Sequence, residues 1–279
     1  MSRPDEFEPH GRELRIALAA AQEAGDLLRS RFHDIGAVHP KGHDGDVVTE
    51  LDLASERIIL DRLRTAFPQD RILSEEAGPI GGPSSRTWLV DPLDGSNNVA
   101  IGLPVYAVGI GLCVDDAPEM GVVHEPHTGT TWHARLGSGL FRNGQPLSAR
   151  PRASEPRLVV AWTQGHAVPK DDALAADLRR RLDGLTHRVL PLWAPLLGWA
   201  MLARGSIDGF VGYCAEAVDF PPGALLATEA GVQFRTLEGE EFRVGFAGPD
   251  STRCFVAGRP EALGRLLEVT RGSAAQPAR

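Results

Sequence analysis

The stretch W-L-V-D-P-L-D-G-S-N-N-V, residues 88 to 99, runs an apolar segment straight into two aspartates three residues apart. Pro92 and Gly95 would suit a turn. A turn does not explain the placement of Asp91 and Asp94, because neighbouring carboxylates repel each other unless a cation lies between them. The acid and glycine spacing of an EF-hand is absent. The stretch therefore predicts a strand that delivers carboxylates to a hard cation, and an all-oxygen site suits Mg²⁺ better than zinc or copper.

Three further groups of acids lie where elements are expected to begin or end. The run from Asp46 to Asp52 contains T-x-x-D, which resembles a capping box at the head of a helix. Asp219 precedes two prolines, as in a simple helix entry. Glu75-Glu76 is compatible with a solvated edge. Taken singly, each of these groups favours its structural interpretation.

Composition narrows the class of protein. The chain has 279 residues, 42% of them hydrophobic, and a formal charge of −8, so it can bury one large core or two smaller ones and is not expected to bind nucleic acid. The three cysteines lack C-x-x-C spacing and predict buried free thiols in a reducing compartment. The N-terminus is too polar for a signal peptide, and no apolar run approaches membrane-spanning length. A cytoplasmic protein without a membrane partner is predicted.

Periodicity divides the chain into two halves. Apolar spacing predicts helices over about 14 to 32 and from Thr49 to Phe67, followed by strands up to about residue 147 with a hairpin turn at Asn143-Gly144. The Pro/Arg/Ser-rich segment 149–157 is the expected boundary. Beyond it strands and helices alternate, which favours an α/β arrangement. The expected units are residues 1–150, an α+β half, and residues 151–279, an α/β half.

Five motifs occur in the order typical of one family. They are Lys41 with D-V-V-T-E-L-D (46–52), S-E-E-A (74–77), W-L-V-D-P-L-D-G-S-N-N-V, the hairpin region G-V-V-H-E-P-H-T-G with G-L-F-R-N-G-Q-P-L, and A-V-D-F-P-P-G-A-L-L-A-T-E-A-G, which ends at Gly231. Together they resemble the inositol monophosphatase family over about residues 12 to 270. That resemblance implies a layered αβαβα sandwich whose N-terminal half carries a mainly antiparallel sheet. It also implies a lithium-sensitive, Mg²⁺-dependent phosphatase that is commonly a homodimer.

The resemblance assigns the metal ligands. Glu75, Asp91 and the carbonyl of Leu93 would hold a first Mg²⁺. Asp91, Asp94 and Asp219 would hold a second, and Glu75 would also reach a more weakly bound third ion. Most of these ligands come from the N-terminal half, and Asp219 comes from the other half.

The resemblance also assigns the water and the phosphate. Asp52 and the hydroxyl of Ser96 would orient and deprotonate the attacking water, with Lys41 assisting through the water network. The backbone amides of Gly95 and Ser96 would cradle the phosphate at a helix start. The reaction implied is direct in-line transfer to water, so Ser96 is a positioning group and not a nucleophile.

The substrate wall departs from the family pattern. Counting back from Asp219 without gaps places Gly212 where relatives that act on inositol phosphates keep a glutamate, and places Trp193-Ala194-Pro195 where they have a Gly-Ser/Thr-Ala triplet. Loss of a buried acid loses hydroxyl selectivity, although Glu216 lies close enough in sequence to compensate. Trp193 fits a pocket wall and the core equally well. Thr163, Gln164 and His166 are further candidates for substrate contact.

The sequence therefore indicates the type of reaction more clearly than the substrate. We expect hydrolysis of a small phosphorylated metabolite: a polyol, cyclitol or sugar phosphate, or an amino-alcohol phosphate such as histidinol phosphate. One alternative is a 3′-phosphoadenosine-phosphate phosphatase, with Trp193 as a purine shelf. The other is a non-catalytic protein that binds a phosphorylated metabolite.

Overall fold

The structure, a computed structural model, describes residues 10–41, 46–148 and 158–271. Its helices are α1 (Gly11–Ser30), α2 (Glu50–Ala66), α3 (Ser96–Ala100), α4 (Ala173–Leu185), α5 (Pro195–Arg204), α6 (Phe220–Glu229) and α7 (Pro260–Thr270). The strands of the first half are β1 (Val38–Lys41), β2 (Asp46–Thr49), β3 (Arg71–Ser74), β4 (Gly78–Ile80), β5 (Arg86–Asp94), β6 (Ala107–Val114), β7 (Ala117–Glu125), β8 (Thr130–Arg135), β9 (Leu140–Arg142) and β10 (Gln145–Pro146). The second half adds β11 (Val159–Gln164), β12 (Arg188–Leu190), β13 (Gly209–Tyr213), β14 (Gln233–Thr236) and β15 (Phe255–Gly258).

The strands form two large sheets and one short hairpin. The first sheet has the order β10-β9-β8-β7-β6-β5-β3-β4, and within it only β3 and β5 run parallel. The second has the order β12-β11-β13-β15-β14, in which β12, β11 and β13 are parallel. Strands β1 and β2 pair separately. A mainly antiparallel first sheet and a mixed second sheet with helical crossovers match the predicted halves.

Helices and sheets alternate in five layers. Helices α1 and α2 bury their apolar faces on one side of the first sheet, against residues such as Trp88 and Val108. Helices α5 and α6 cover its other side and also contact the second sheet through Trp199 and Phe220. Helices α4 and α7 close the far side of that second sheet. The layered αβαβα sandwich is therefore confirmed, and α5 and α6 are the shared middle layer.

The middle layer is close-packed against the first sheet because small residues face each other there. A Cβ added to Gly121 of β7 would lie 2.4 Å from the carbonyl oxygen of Pro222, and one added to Gly109 of β6 would lie 2.4 Å from a methyl of Leu196. Glycine at these positions lets α5 and α6 approach the strands. This approach brings the start of α6 next to the end of β5.

Several local expectations need correction or stay outside the described residues. The acids Asp91 and Asp94 lie within β5 and not after it, with a register shift between them. The expected boundary at 149–157 lies outside the described residues. All three cysteines are free, as predicted, but only Cys113 is buried; Cys214 and Cys254 are partly exposed, with their Sγ atoms 3.6 Å apart, so the prediction of burial was wrong for these two.

The buried histidines and tryptophans of the first sheet serve packing. His124 accepts or donates one hydrogen bond with Thr131 Oγ1 at 2.8 Å, and burial lowers its pKa to about 4. His133 is also buried and stacks on Phe141. Among the described helices, none combines the length and apolar character that a membrane crossing requires.

Candidate active site

Strand β5 carries two buried carboxylates to the interface between the two halves. Asp91 is paired with Gly109 and Asp94 with Ala107, and the irregular register between them lets the chain bulge. The bulge is fixed by a hydrogen bond from Leu93 N to Asp91 Oδ1 at 3.1 Å and by one from Ser55 Oγ to Pro92 O at 2.7 Å. The side chains are 4% and 5% exposed, so both acids project into the protein and not into solvent.

A third buried carboxylate comes from the C-terminal half. Asp219 is the residue immediately before α6, and its Oδ1 is buried without a hydrogen-bond partner among the described residues. Burial first, and then the charges of neighbouring acids, raise the pKa of Asp219, Asp91 and Asp94 well above the usual aspartate range. The charges of Asp94 and Asp219 raise the pKa of Asp91, and that of Asp219 raises the pKa of Asp94, so the three acids are close enough to repel one another. An orphaned buried oxygen in such a cluster is unfavourable without a cation.

Glu75 reaches the same cluster from the end of β3. Its backbone N–H donates to Val90 O at 3.0 Å, which fixes the turn beside β5. Lys41 Nζ donates to Glu75 Oε1 at 2.7 Å and to Glu76 Oε1 at 2.8 Å. The carboxyl groups of Glu75 and Asp91 lie within hydrogen-bonding distance of each other. Burial raises the pKa of Glu75 although Lys41 opposes that shift.

Asp52 lies at the head of α2 and meets the β5 segment through Ser96. Asp52 Oδ2 accepts hydrogen bonds from Thr49 N at 2.8 Å and from Thr49 Oγ1 at 2.6 Å, which completes the predicted capping box. Its other oxygen, Oδ1, accepts a hydrogen bond from Ser96 Oγ. Burial raises the pKa of Asp52, while the hydroxyls of Ser96 and Thr49 lower it. The structural and catalytic interpretations of T-x-x-D are therefore compatible, because each uses a different carboxylate oxygen.

The turn after Asp94 places a short helix beside these acids. Gly95 has φ of 98°, and a Cβ there would lie 2.8 Å from Val105 O, so the turn requires glycine. Ser96 begins α3 and its Oγ lies 2.9 Å from Leu93 O as well as close to Asp52. Asn98 Nδ2 donates to Val105 O and to Leu192 O, each at 2.7 Å. The turn is thereby fastened to the segment before α5.

The donor chemistry of this cluster fits a hard cation. Glu75, Asp91, Asp94, Asp219 and the Leu93 carbonyl are all oxygen donors, which suits Mg²⁺. Within the described ranges, no group of three or more His, Cys, Asp or Glu side chains is arranged so that it could hold a metal ion. As they stand, Glu75 is turned to Lys41 and Asp94 Oδ2 accepts from Leu196 N at 2.7 Å. The fit of this cluster to a cation therefore rests on the chemical type of its donor atoms and on their burial.

A cavity of about 260 Å³ opens over the carboxylates, between α3, α5 and the carboxyl ends of the parallel strands β11 and β12. Such strand ends are where open α/β sheets bind ligands. The floor is acidic, with Glu75, Asp91, Asp94 and Asp219. Apolar residues line much of the opposite wall, including Trp162, Val168, Leu190, Pro191, Leu192, Trp193, Ala194, Pro195, Phe210 and Val218.

Most of the candidate substrate-binding residues line the cavity, but they differ in exposure. Trp193 lines the cavity and is 62% exposed, so the core interpretation of this residue was wrong. Ala194 is fully buried beneath it at the N-cap of α5 and also lines the cavity. Glu216 faces the cavity and accepts a hydrogen bond from His166 N at 3.2 Å. Thr163, Gln164 and His166 line the same space.

The placement of Gly212 in the substrate wall is corrected. Gly212 lies in β13 and is not among the described residues that line the cavity. A Cβ at this position would lie 2.3 Å from the ring of Phe255. Counting back from Asp219 without gaps had placed Gly212 in the substrate wall. In the structure, the ring of Phe255 occupies the space that a side chain at position 212 would need.

Some cavity residues were not singled out from the sequence. Asn97 Nδ2 donates to Asp46 Oδ1 at 3.3 Å, and both residues line the cavity. Lys170 and Arg179 bring positive charge to the end near α4. Asn97 lies within the stretch W-L-V-D-P-L-D-G-S-N-N-V, so the sequence pattern already contained it. Arg179 lies in α4, and only the packing of that helix brings it to the cavity.

Comparison with known proteins identifies relatives across most of the chain. A sequence model of the inositol monophosphatase family matches residues 12–274. Inositol monophosphatase 1 of Solanum lycopersicum is 30% identical over 257 residues, 87% of this chain and 93% of its own. A fructose-1,6-bisphosphatase/inositol-1-monophosphatase of Thermotoga maritima is 29% identical over 228 residues, 82% and 86% of the two chains. The solved extragenic suppressor protein suhB of Bartonella henselae superposes with a TM-score of 0.82 at 26% identity, covering 92% of this chain and 98% of its own.

Proposed function

Because the chain belongs to the inositol monophosphatase family, we propose that it is a metal-dependent phosphomonoesterase acting on a small phosphorylated metabolite. The observation that carries the proposal is the convergence of buried carboxylates from both halves beneath one cavity, next to the hydrogen-bonded pair Asp52 and Ser96. Buried like charges are costly. Their retention at a cavity favours a catalytic role over a structural one.

The residues that would hold Mg²⁺ are Glu75, Asp91, the Leu93 carbonyl, Asp94 and Asp219, for two or three ions. When bound, the metal supplies charge neutralisation for the phosphate, a more acidic water and stabilisation of the leaving alkoxide. Glu75 would exchange its contact with Lys41 for this role. Lys41 would then remain as a positive charge beside the water network, because Glu76 also holds it.

Asp52 and Ser96 form a proton relay in this proposal. The attacking water gives its proton to Ser96 Oγ as the Ser96 proton passes to Asp52 Oδ1. The raised pKa of Asp52 makes it a better base than an exposed aspartate. Thr49 fixes the other oxygen of Asp52, so the carboxylate presents Oδ1 to Ser96. No covalent enzyme intermediate is needed.

The backbone amides of Gly95 and Ser96 would bind the non-bridging phosphate oxygens. Amides in the first turn of a helix have no acceptor within that helix, and the left-handed Gly95 lets the chain turn them towards the cavity. Trp193, Ala194 and Glu216 would form the substrate wall. The leaving group would then lie between this wall and the carboxylates.

Phosphate release with Mg²⁺ from a panel of esters tests the proposal. The panel comprises inositol monophosphates, fructose bisphosphate, histidinol phosphate, phosphoadenosine phosphate and several sugar phosphates. One preferred substrate, lost in Asp94→Asn and inhibited by lithium, would support the proposal. The matched control is Asp61→Asn on the exposed side of α2, which should keep full activity.

Absence of turnover across the panel together with tight binding of one metabolite would instead favour a non-catalytic binding protein. A homodimer stays a prediction from the family. Light scattering of the full chain would show the mass of one or two copies.

A further inference from the structure

Trp193 differs from the other tryptophans of the chain. Trp88, Trp132, Trp162 and Trp199 are buried, whereas Trp193 is 62% exposed at the cavity. Its ring has no aromatic contact, and its Nε1 has no hydrogen-bond partner, within the described residues. A single exposed apolar side chain is ordinary on a protein surface, so exposure alone carries no argument.

The backbone at Trp193 supplies the second observation. Its φ is 51°, in the left-handed region that disfavours a bulky side chain. Such conformations are strained and gather at ligand-binding positions. The other large exposed apolar residues, such as Leu136 and Leu174, have ordinary φ values. Trp193 therefore combines a strained backbone with an exposed side chain at the rim of the cavity.

The segment around Trp193 is fastened directly to the acidic floor. Leu192 O accepts from Asn98 Nδ2 at 2.7 Å, and Leu196 N donates to Asp94 Oδ2 at 2.7 Å. Between these bonds, Ala194 is fully buried and Pro195 begins α5. The indole is therefore held at a defined place relative to Asp94, and through Asp94 to the reacting phosphate of the proposed function.

The wall beside Trp193 is apolar over a continuous segment. Leu190, Pro191 and Leu192 precede it, and Trp162, Val168 and Phe210 face the same space. Hydroxyls of a polyol placed against this apolar segment would find no partner in its side chains, which is costly, although Thr163, Gln164 and His166 line the same cavity. A flat ring would instead bury apolar area and stack on the indole.

From the strained, exposed and anchored indole we infer that Trp193 is a stacking platform for the leaving group. The substrate is then a phosphate ester of an alcohol that carries an aromatic or heteroaromatic ring. This inference rests on the proposed phosphomonoesterase function. It selects one class among the esters compatible with that function.

Kinetics on a matched pair of esters tests the inference. The esters are 2-phenylethyl phosphate and 2-cyclohexylethyl phosphate, which differ in the π system of the ring. Trp193→Ala should raise KM for the phenyl ester about tenfold, with a smaller rise for the cyclohexyl ester and kcat within about twofold. Trp193→Phe should keep most of the preference because it keeps a ring. Leu136→Ala removes an exposed apolar side chain outside the cavity and should change neither constant.

A binding measurement separates this inference from the proposed function. Because the other tryptophans are buried, acrylamide quenching reports mainly on Trp193. With Mg²⁺ present, 3-phenylpropylphosphonate, which cannot be hydrolysed as an ester, should shield the wild-type protein from quenching. The cyclohexyl analogue should shield it less, and neither should change the residual quenching of Trp193→Ala.

The outcomes distinguish the two claims. Turnover with equal KM values for wild type and Trp193→Ala, or no shielding by the phenyl phosphonate, would overturn the stacking platform while leaving the phosphatase standing. Shielding without turnover of any ester would overturn the phosphatase and support the platform as a ring-binding wall. If Trp193→Ala does not fold, Trp193→Phe and the wild-type shielding decide the question.

Discussion

The Asp52 carboxylate is shared between a helix cap and the candidate relay. One oxygen satisfies the start of α2 through Thr49, and the other accepts the Ser96 hydroxyl. Ser96 Oγ carries one proton but has two acceptors in reach, Asp52 and Leu93 O. Occupation of the Leu93 carbonyl by a cation would direct that proton to Asp52.

Replacement of Ser96 tests the relay at this scale. Ser96→Ala should lower kcat by about 10²-fold, since general acid–base assistance contributes ~10²- to 10⁴-fold. Ser96→Thr keeps the hydroxyl and should stay within a few-fold of wild type. Steady-state phosphate release on the preferred ester provides the comparison. Equal rates for the Ala and Thr variants would contradict the relay.

Asp94 should lower the stability of the folded protein when no metal is bound. Its pKa is raised in the fold by burial and by Asp219, so its ionised form at neutral pH opposes folding. In EDTA at pH 7.5, Asp94→Asn should therefore raise Tm, because the amide is neutral and its oxygen can still accept from Leu196 N. A carboxyl group whose pKa is raised in the fold destabilises the protein less as pH falls, because it becomes protonated. The difference in Tm between Asp94→Asn and wild type should therefore shrink in acid. Added Mg²⁺ should raise the Tm of wild type more than that of the variant. An unchanged Tm in EDTA would show that Asp94 bears no charge penalty.

At the scale of elements, the contact between α5 and α6 fixes the geometry of Asp219. A Cβ on Gly223 of α6 would lie 2.1 Å from the indole of Trp199. That indole is surrounded by Phe210, Phe220 and Phe255, at ring-centroid distances of 4.4, 5.7 and 5.2 Å. The ring has little room to move, so the helix crossing depends on glycine.

Two helical glycines provide a matched test. Gly223→Ala should lower the free energy of unfolding by about 1–3 kcal/mol through overpacking and should weaken Mg²⁺ binding by displacing Asp219. Gly264→Ala lies in α7 with no atom within 4 Å of the new Cβ. It should raise stability by about 0.5–1 kcal/mol, since alanine is the better helix former. Urea denaturation and Mg²⁺ titration of both variants give the comparison, and a stable Gly223→Ala with unchanged Mg²⁺ affinity would contradict the packing argument.

At the scale of the whole molecule, the candidate active site exists only where the two halves meet. The first sheet supplies Glu75, Asp91 and Asp94, while α6 supplies Asp219 and α5 supports Trp193. The middle helical layer belongs in sequence to the second half but packs on both sheets. Separation of the halves would therefore remove both the proposed ligand Asp219 and the proposed substrate wall.

Acid should destabilise the folded chain through buried neutral histidine. The pKa of His124 falls from 6.5 to about 4 in the fold because of burial. Below pH 6.5 the unfolded chain binds the proton first, so stability is lost as pH falls from 6.5 to about 4 at up to ~1.4 kcal/mol per pH unit for this group. The difference in unfolding free energy between wild type and His124→Gln should follow that slope in urea denaturation. A flat difference for His124→Gln would refute the assignment.

Local sequence patterns determined most of the elements. The helices α1 and α2 begin and end within a few residues of their predictions, because apolar periodicity and the cap at Thr49 act over one or two turns. The motif order identified the family and the αβαβα layers. These features depend on neighbours in sequence, so they can be read from the chain.

Only the tertiary structure decided which residues share the cavity. It excluded Gly212, whose space the ring of Phe255 fills, and exposed Trp193 by a left-handed turn. It also brought Asp219 to Asp94, and Cys214 to Cys254, across long separations in sequence. Burial and proximity between distant segments arise from the packing of whole layers, and no local pattern carries that information.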